Sequence, residues 1–357
     1  MISYLKIENF RGIRSLELEN LGQVNVIAGK NNSCKSSVLE ALALALSAVN
    51  RNPTPLKSTL NHVLTWRGWF GKSSISALFY RHELPIRLQF VTSDRTPFLI
   101  EIRYSGNLID TMIKELRVDH ETLKRVFSGE LEVLSLKSKA GPLLNEATAI
   151  VARDGTVTVF SSQKDLYPVE MLVRFVTPYD IVRPGYIEEA FSWAFKLRAY
   201  SNALALIRQA YPEVVGLSTL PENGSNVMYV DIKYSKNSIP YYVMGDGFKI
   251  LLMTASLVAA MRNGYLLIDS AEAFHHPKSL RIMAQTLIKG AKENNVQVFL
   301  TTHSLELIDM LLEYGLEEGV DGRIVYMKRE NGKLTHSIET FENAKELRED
   351  LGIDLRG

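Results

Sequence analysis

The stretch Gly29-Lys30-Asn31-Asn32-Ser33-Cys34-Lys35-Ser36-Ser37 constrains the fold more than any other part of the chain. It follows the alternating run Val24-Asn25-Val26-Ile27-Ala28. It precedes a helical pattern with Leu39, Leu42, Leu46 and Val49 on one face. It therefore lies between a strand and a helix, the context that a phosphate-binding loop requires. The first-turn N–H groups of a helix have no intrahelical partner, and the helix dipole favours an anion in front of them. Lys35 can neutralise a β- or γ-phosphate, and the Ser36 hydroxyl can hold Mg²⁺. The usual pattern ends in Gly-Lys-Ser/Thr, and here Cys34 stands in place of that glycine. A thiol at a helix N-terminus beside a lysine is expected to be acidified. If the position needs a positive φ, a cysteine there is strained by about 1–2 kcal/mol.

The 357 residues suffice for one large domain or two ordinary ones. With 46% hydrophobic and 23% charged residues, a packed core is expected. Lys+Arg number 41 and Asp+Glu 40, so the net charge of +1 exerts no global pull on nucleic acid or membrane. Any DNA contact has to be a local patch. The single cysteine excludes an internal disulfide and predicts a reducing, cytoplasmic setting. The N-terminus alternates like a strand and lacks a basic region followed by an apolar block, which predicts no signal peptide. The longest apolar run, Ile250–Met261, is too short to span a bilayer and reads as a buried helix.

Residues 2–28 read as a β-meander of Ile2–Phe10, Ser15–Glu19 and Val24–Ala28, with a turn at Arg11-Gly12. Pro53 is expected to end the helix after the phosphate loop. Between 54 and 180 the candidate strands are Ser74–Tyr80, Ile86–Val91, Phe98–Tyr104, Ala149–Val151 and Thr156–Phe160. Asp154-Gly155 reads as a hairpin turn, and Ile109–Leu116 and His120–Phe127 as helical pieces. Ile187–Tyr211 is one long helix or two. From Met228 the pattern alternates: strand Met228–Tyr234, helix Phe248–Arg262, strand Tyr265–Asp269, helix Ser279–Asn294, strand Val296–Leu300, helix Ser304–Tyr314. A hairpin around Asn331-Gly332 and a helix over Glu339–Leu351 follow.

Four further stretches carry chemistry. Tyr265–Asp269 is an apolar strand ending in a carboxylate, which places Asp269 where it can orient Mg²⁺. A buried strand whose last Asp caps the next helix would read the same way. A catalytic glutamate is expected directly after such an Asp, but the chain has Ser270. Glu272, two residues on, is either the substitute base or a first-turn acid of the next helix. His303, in Thr301-Thr302-His303-Ser304, sits at a strand tip where it can hydrogen-bond a γ-phosphate. Gly245-Asp246-Gly247 opens a helix and makes a second anion site. Two anion sites distant in sequence suggest one ATP shared between the phosphate loop of one copy and the glycine turn of another.

Taken in order, Ile7-Glu8-Asn9-Phe10-Arg11-Gly12, the phosphate loop, Met244–Gly247, Leu266–Asp269 and Thr301–Ser304 resemble the ABC-type ATPase heads of the RecF, SMC and OLD group, within the AAA-family ATPases. Asn31-Asn32-Ser33 and Gly352-Ile353-Asp354-Leu355-Arg356 are similar to the OLD branch. The resemblance implies a P-loop α/β fold, with ATP and Mg²⁺ as cofactors. It gives Gly29–Ser37 (the Walker A loop) to the triphosphate and Ser36 and Asp269 (the Walker B carboxylate) to Mg²⁺. It gives Arg11 to the nucleotide, Gly245, Asp246 and Gly247 to a partner copy's ATP, and His303 to the γ-phosphate. Gln89 is the candidate for the glutamine that links metal to the rest of such heads. OLD enzymes carry a Toprim nuclease after the ATPase; the chain stops soon after His303, so nuclease activity is expected from a separate polypeptide. Val243 replaces the serine usual in the signature.

The fold class expected is α/β, an ABC-type head with a β-rich N-terminal lobe over 1–110, an α+β insertion over 111–224, and a C-terminal lobe over 225–357. The expected function is an ATP-dependent homodimer that drives or gates a DNA-directed process such as repair, maintenance or defence, with slow hydrolysis. DNA and a separate nuclease or effector protein are the partners to look for. The alternative is a non-hydrolysing, nucleotide-dependent scaffold that recruits a partner. The Gly245–Gly247 turn and His303 argue against a nucleotide kinase or GTPase.

Overall fold

Strands with one apolar and one polar face belong in antiparallel sheets, and strands apolar on both faces in parallel ones. The chain contains both kinds and separates them. The computed structural model describes residues 1–50, 52–68, 72–82, 85–106, 131–152, 155–162, 171–183, 185–222 and 225–349. The chain divides into two compact units. The first is Met1–Leu21, Asn31–Phe175 and Lys328–Thr335; the second is Gly22–Lys30, Val176–Met327 and His336–Gly357.

In the first unit, β1 (Ile2–Phe10) and β2 (Ile13–Leu18) pair antiparallel with Leu5 opposite Leu18 and Ile7 opposite Leu16, all four buried. They continue into β4 (Ile86–Thr92), β5 (Pro97–Gly106), β6 (Leu131–Ala140), β7 (Leu143–Ala152) and β8 (Val157–Ser162), in the order β2-β1-β4-β5-β6-β7-β8. On the polar face one cross-strand row reads Glu8, Arg87, Glu101, Lys137, Glu146. Signs alternate along it, so each cross-strand neighbour attracts. Against the apolar face packs α1 (Lys35–Ala48), which is buried along most of its length, with α2 (Pro53–Thr65) beside it.

In the second unit, β3 (Val24–Gly29), β13 (Tyr265–Ile268) and β14 (Gln297–Thr301) are buried at every position. β14 pairs parallel with β3 and with β13, and β15 (Gly322–Glu330) pairs parallel with β3 on its other side. With β16 (Lys333–Thr340) and β9 (Val173–Val176) at the edges, the order is β16-β15-β3-β14-β13-β9. A three-stranded sheet, β10 (Val214–Glu222), β11 (Ser225–Ile232) and β12 (Ile239–Pro240), stands apart. α4 (Tyr186–Lys196) and α5 (Tyr200–Ala210) pack on α6 (Asp246–Ala260), which in turn packs on α7 (Pro277–Asn294). α8 (Leu305–Glu318) and α9 (Phe341–Glu349) complete the unit. Among the described residues no helix is long and apolar enough to cross a membrane.

Several expectations are corrected. Val24–Ala28 is not the third strand of a meander; burial on both faces sends it to the parallel sheet. Ser74–Tyr80 is not a strand: α3 (Lys72–Ser76) and a turn occupy it, and only Phe79 bridges to Phe10. Pro53 does not merely stop α1; it occupies the first turn of α2, where a missing N–H costs nothing. Of the two alternatives for Ile187–Tyr211, one helix or two, the structure has two, broken at Arg198, which has φ 58. Strands β6, β9, β10 and β12 were not anticipated. Ile109–Leu116, His120–Phe127, Asp154, Pro184 and Gly352–Arg356 lie outside the described residues.

The α6–α7 contact depends on a glycine. A Cβ on Gly290 would run into the side chain of Val258. Gly290→Ala is expected to lower stability by about 1–3 kcal/mol through overpacking. Pairing it with Val258→Ala should recover part of the loss in urea titrations, because the second change makes the room that the first one needs.

Candidate functional site

Parallel pairing fixes where the chemistry-bearing residues of the second unit emerge. Val26 lies opposite Leu300, Ile27 opposite Thr301, and Leu300 opposite Ile268. The strands run the same way, so Gly29, Asp269 and Thr302-His303 all leave the sheet at one edge. The amide of Thr302 donates to Ile27 O at 3.2 Å, which holds that edge together.

At this edge Asp269 is buried, at 4% exposure. Its Oδ1 accepts a hydrogen bond from Thr301 Oγ1 at 2.7 Å. Thr301 Oγ1 in turn accepts from the Ser270 amide at 2.8 Å. The threonine hydroxyl thus orients the carboxylate and pins the chain just beyond it. Ser270 then turns left-handed, with φ 50. This turn carries Glu272 to the next strand tip, where its Oε1 accepts from the His303 amide at 2.9 Å. Glu272 Oε2 is buried and has no hydrogen-bond partner among the described residues. Glu272 is not a first-turn acid, because α7 begins only at Pro277, with His276 as its cap. Ser304 caps α8 by accepting from the Leu307 amide at 3.1 Å, so His303 sits between a strand end and a helix start.

The glycine turn lies in the same unit. Gly245 caps α6 and Asp246 is its first residue, paired with Lys249 at 2.9 Å. The two glycines have different reasons. A Cβ on Gly247 would stand 2.7 Å from Phe274 O, whereas one on Gly245 would meet nothing within 4 Å. Gly245 also has φ −60, which any residue adopts.

From Asn31 the phosphate loop belongs to the first unit. Lys30, Asn31 and Asn32 are exposed, while Ser33 and Lys35 are buried. Asn32 and Cys34 both have positive φ, 65 and 66, and Gly29 has φ 143. Cys34 is therefore a left-handed cap directly before α1, the conformation for which a glycine would serve without strain. Lys35 Nζ donates to Ser33 Oγ at 3.5 Å. Ser36 lies in the first turn of α1, half-buried, and Ser37 is buried.

The first unit also holds a charge cluster around Glu40, of which sequence reading found only Arg11. Glu40, fully buried on α1, accepts from Trp66 Nε1 and from Arg67 Nη2, each at 2.8 Å, and pairs with Arg11. Arg11 Nη2 also donates to Val63 O at 2.9 Å. Burial lowers the pKa of Arg11, an effect opposed by Glu40 and reinforced by Arg67. The expectation of an acidified Cys34 is overturned. Burial raises the thiol's pKa, and Arg329, Arg67 and Lys35 only oppose that rise. Gln89 lies in the middle of the first unit's sheet, opposite Lys6 and Leu99.

The predicted residues therefore fall into two groups. Gly29, Lys30, Gly245–Gly247, Asp269, Glu272 and His303 are in the second unit, and Arg11 and Asn31–Ser37 in the first. Among the described residues no three His, Cys, Asp or Glu side chains cluster to hold a metal. The donors present are a hydroxyl at Ser36 and a carboxylate at Asp269, hard oxygens of the kind Mg²⁺ takes alongside phosphate and water. The buried open oxygen of Glu272 adds an acceptor that the protein itself leaves unused. Taken each within its own unit, these groups are of the kind that a Mg²⁺–nucleotide ligand uses.

The AAA ATPase domain model matches residues 1–127 and 198–308, more than half of the chain. The chain belongs to that ATPase family. Two proteins of unassigned function from Methanocaldococcus jannaschii are 63% and 34% identical over 114 and 232 residues; these alignments span 32% and 64% of the chain and 100% and 95% of those proteins. An ATP/GTP phosphatase of Helicobacter pylori is 24% identical over 331 residues, 87% of each chain. Among solved structures, an Smc head bound to the C-terminal winged-helix domain of ScpA superposes with a TM-score of 0.51 at 13% identity, covering 96% of this chain and 99% of that one. The family ATPase has an SMC-head fold.

His275, in the loop after Glu272, gives this ATPase a pH signature. Ser279 Oγ donates to His276 O at 2.9 Å, so at 3.2 Å it accepts from His275 Nδ1–H, a tautomer assigned from the network. Burial pushes the His275 pKa down to about 4. The unfolded chain thus binds the proton at higher pH than the folded one, and the contribution to stability is complete above about 6.5. It is lost as pH falls from there toward 4. The urea midpoint should drop over this window, and His275→Gln should flatten the drop.

Proposed function

We propose that this ATPase binds Mg²⁺–ATP at the phosphate loop, hydrolyses it slowly, and closes on a second copy while ATP is bound. The observation that carries the reading is the Glu272 carboxylate, with one oxygen fixed by the His303 amide and the other buried and open. A carboxylate held in this way can accept the proton of an attacking water, the work usually given to the residue that is Ser270 here. Lys35 and the loop amides bind the phosphates, His303 contacts the γ-phosphate, and Ser36 and Asp269 are the residues suited to Mg²⁺. That ion, when bound, neutralises phosphate charge. Thr301 keeps the Asp269 carboxylate in one orientation. Arg11 supports the loop through Glu40.

The name of the H. pylori relative supports nucleotide hydrolysis, and the Smc head's complex with ScpA supports recruitment of a partner protein. The group resemblance supports a DNA-directed process in the cytoplasm, with any nuclease supplied separately. The net charge of +1 requires DNA contact through a local patch.

Two experiments test the reading. In single turnover, Glu272→Gln should slow hydrolysis by roughly 10²–10⁴-fold while ATP still binds. An unchanged rate removes Glu272 from the mechanism, and absence of hydrolysis in the parent protein establishes the scaffold reading instead. The second concerns dimerisation. Gly245 has an ordinary φ and a Cβ there would meet nothing within 4 Å, so Gly245→Trp is the substitution chosen, with its fold checked by thermal unfolding. Light scattering should show that ATP doubles the mass of the parent protein and not that of the variant. Gly247 is unsuitable for this purpose, since any side chain there collides with Phe274 O.

A further inference from the structure

We propose that Arg329 is a positioning residue for nucleotide binding, holding the phosphate loop at its last left-handed residue through Cys34 Sγ and the Gly12 carbonyl. The inference rests on the reading that this loop binds ATP.

The argument starts from strain. Cys34 caps α1 with φ 66, a conformation that costs an L side chain about 1–2 kcal/mol. Nothing intrinsic to a cysteine keeps it there, so the surroundings must. Its own side chain makes no cap hydrogen bond to the helix. What holds it is external to the loop. Arg329 Nη2 donates to Cys34 Sγ at 2.9 Å, and the same nitrogen donates to Gly12 O. Gly12 makes the space: a Cβ there would lie 2.7 Å from Sγ and 3.2 Å from Arg329 Nη2. The Arg11-Gly12 turn, the loop's cap and Arg329 thus form one packed junction, with Arg11 of the same turn bound to Glu40 on α1.

The origin of Arg329 fits this role. It lies on β15 two residues after Met327, the residue paired with Gly29 at the start of the loop. Side chains alternate along a strand. Its neighbours Lys328 and Glu330 pair with each other at 2.6 Å, and Arg329 is left with no carboxylate partner among the described residues. Its Nε is buried without a hydrogen bond among them. A guanidinium with no acid partner among the described residues, beside a loop read as an anion site, favours the bound state by charge as well as by geometry.

The test is ATP affinity in Arg329→Met, Arg329→Lys and Cys34→Gly, each confirmed as folded by thermal unfolding, and in the double variant Cys34→Gly with Arg329→Met. Arg329→Met should weaken ATP binding about tenfold, the scale of a lost charged hydrogen bond. Arg329→Lys should recover part of that loss. With glycine at 34 no side chain needs holding, so the cost of Arg329→Met should be several-fold smaller in that background. Unchanged affinity in folded Arg329→Met, or an equal loss in both backgrounds, overturns the proposal. Lys35→Ala is measured alongside: if it binds ATP as tightly as the parent protein, the phosphate-loop reading itself has failed. Loss in Lys35→Ala with none in Arg329→Met removes Arg329 alone.

Discussion

The parallel backbone ladder of β13, β14 and β3 is the constraint on which the rest depends. Its pairs run Ile268–Leu300 and Leu300–Val26, so β3, near the start of the chain, ends in register with two strands more than 200 residues further on. Each of these strands is buried at every position, and a buried backbone group without a partner is costly. The ladder therefore cannot slip without exposing or orphaning what it buries. From that rigidity follows the position of everything polar at its edge. Thr301 reaches Asp269 because the two strand ends are level, and Glu272 reaches the His303 amide because Ser270 turns left-handed between them.

This edge was the part of the molecule most legible in the sequence. Short runs apolar on both faces, each ending in a polar residue, specify a parallel strand and the end at which its chemistry lies. The helices α6, α7 and α8 were legible for the related reason that their apolar spacing is long and regular. The failures have local causes. Ser74–Tyr80 alternates like a strand, but its length and composition do not distinguish a helix turn followed by a bend. β6 alternates only where Lys137 and Lys139 are exposed, and β10 is exposed continuously over residues 218–222, so neither strand carries a clear period of two. Val24–Ala28 was recognised as a strand but given to the wrong sheet, because pairing partners 270 residues away leave no trace in a local window.

Of the candidate site, the placement of single residues was legible and their partners were not. Asp269, Lys35 and His303 follow from motif and spacing. Thr301, Glu40, Arg67 and Arg329 do not, since each acts through a contact between segments distant in the chain. Glu40 had a faint signal, an acid on the otherwise apolar helix α1. A buried carboxylate must find cations, and Arg11, Arg67 and the Trp66 N–H supply what it needs. Thr301 had a fainter one, a hydroxyl in the last position of a buried strand, where it has little to bond except its neighbour's tip.

Two of the three departures from the usual motifs, Cys34 and Ser270, share a physical feature: both have positive φ, 66 and 50. At Cys34 the strain lies at the entry to α1 and is met by a contact from outside the loop. At Ser270 it is met from within, by the Thr301 hydroxyl on the Ser270 amide. A larger side chain at 270 would gain nothing from that bond and would still carry the strain, while the turn delivers the carboxylate two residues later instead. The absence of a glutamate directly after Asp269 is thus tied to the backbone path, and Glu272 is the acid which that path brings to the edge. The catalytic role proposed for Glu272 therefore depends on this backbone path, which brings a carboxylate to the edge two residues later than the usual motif does.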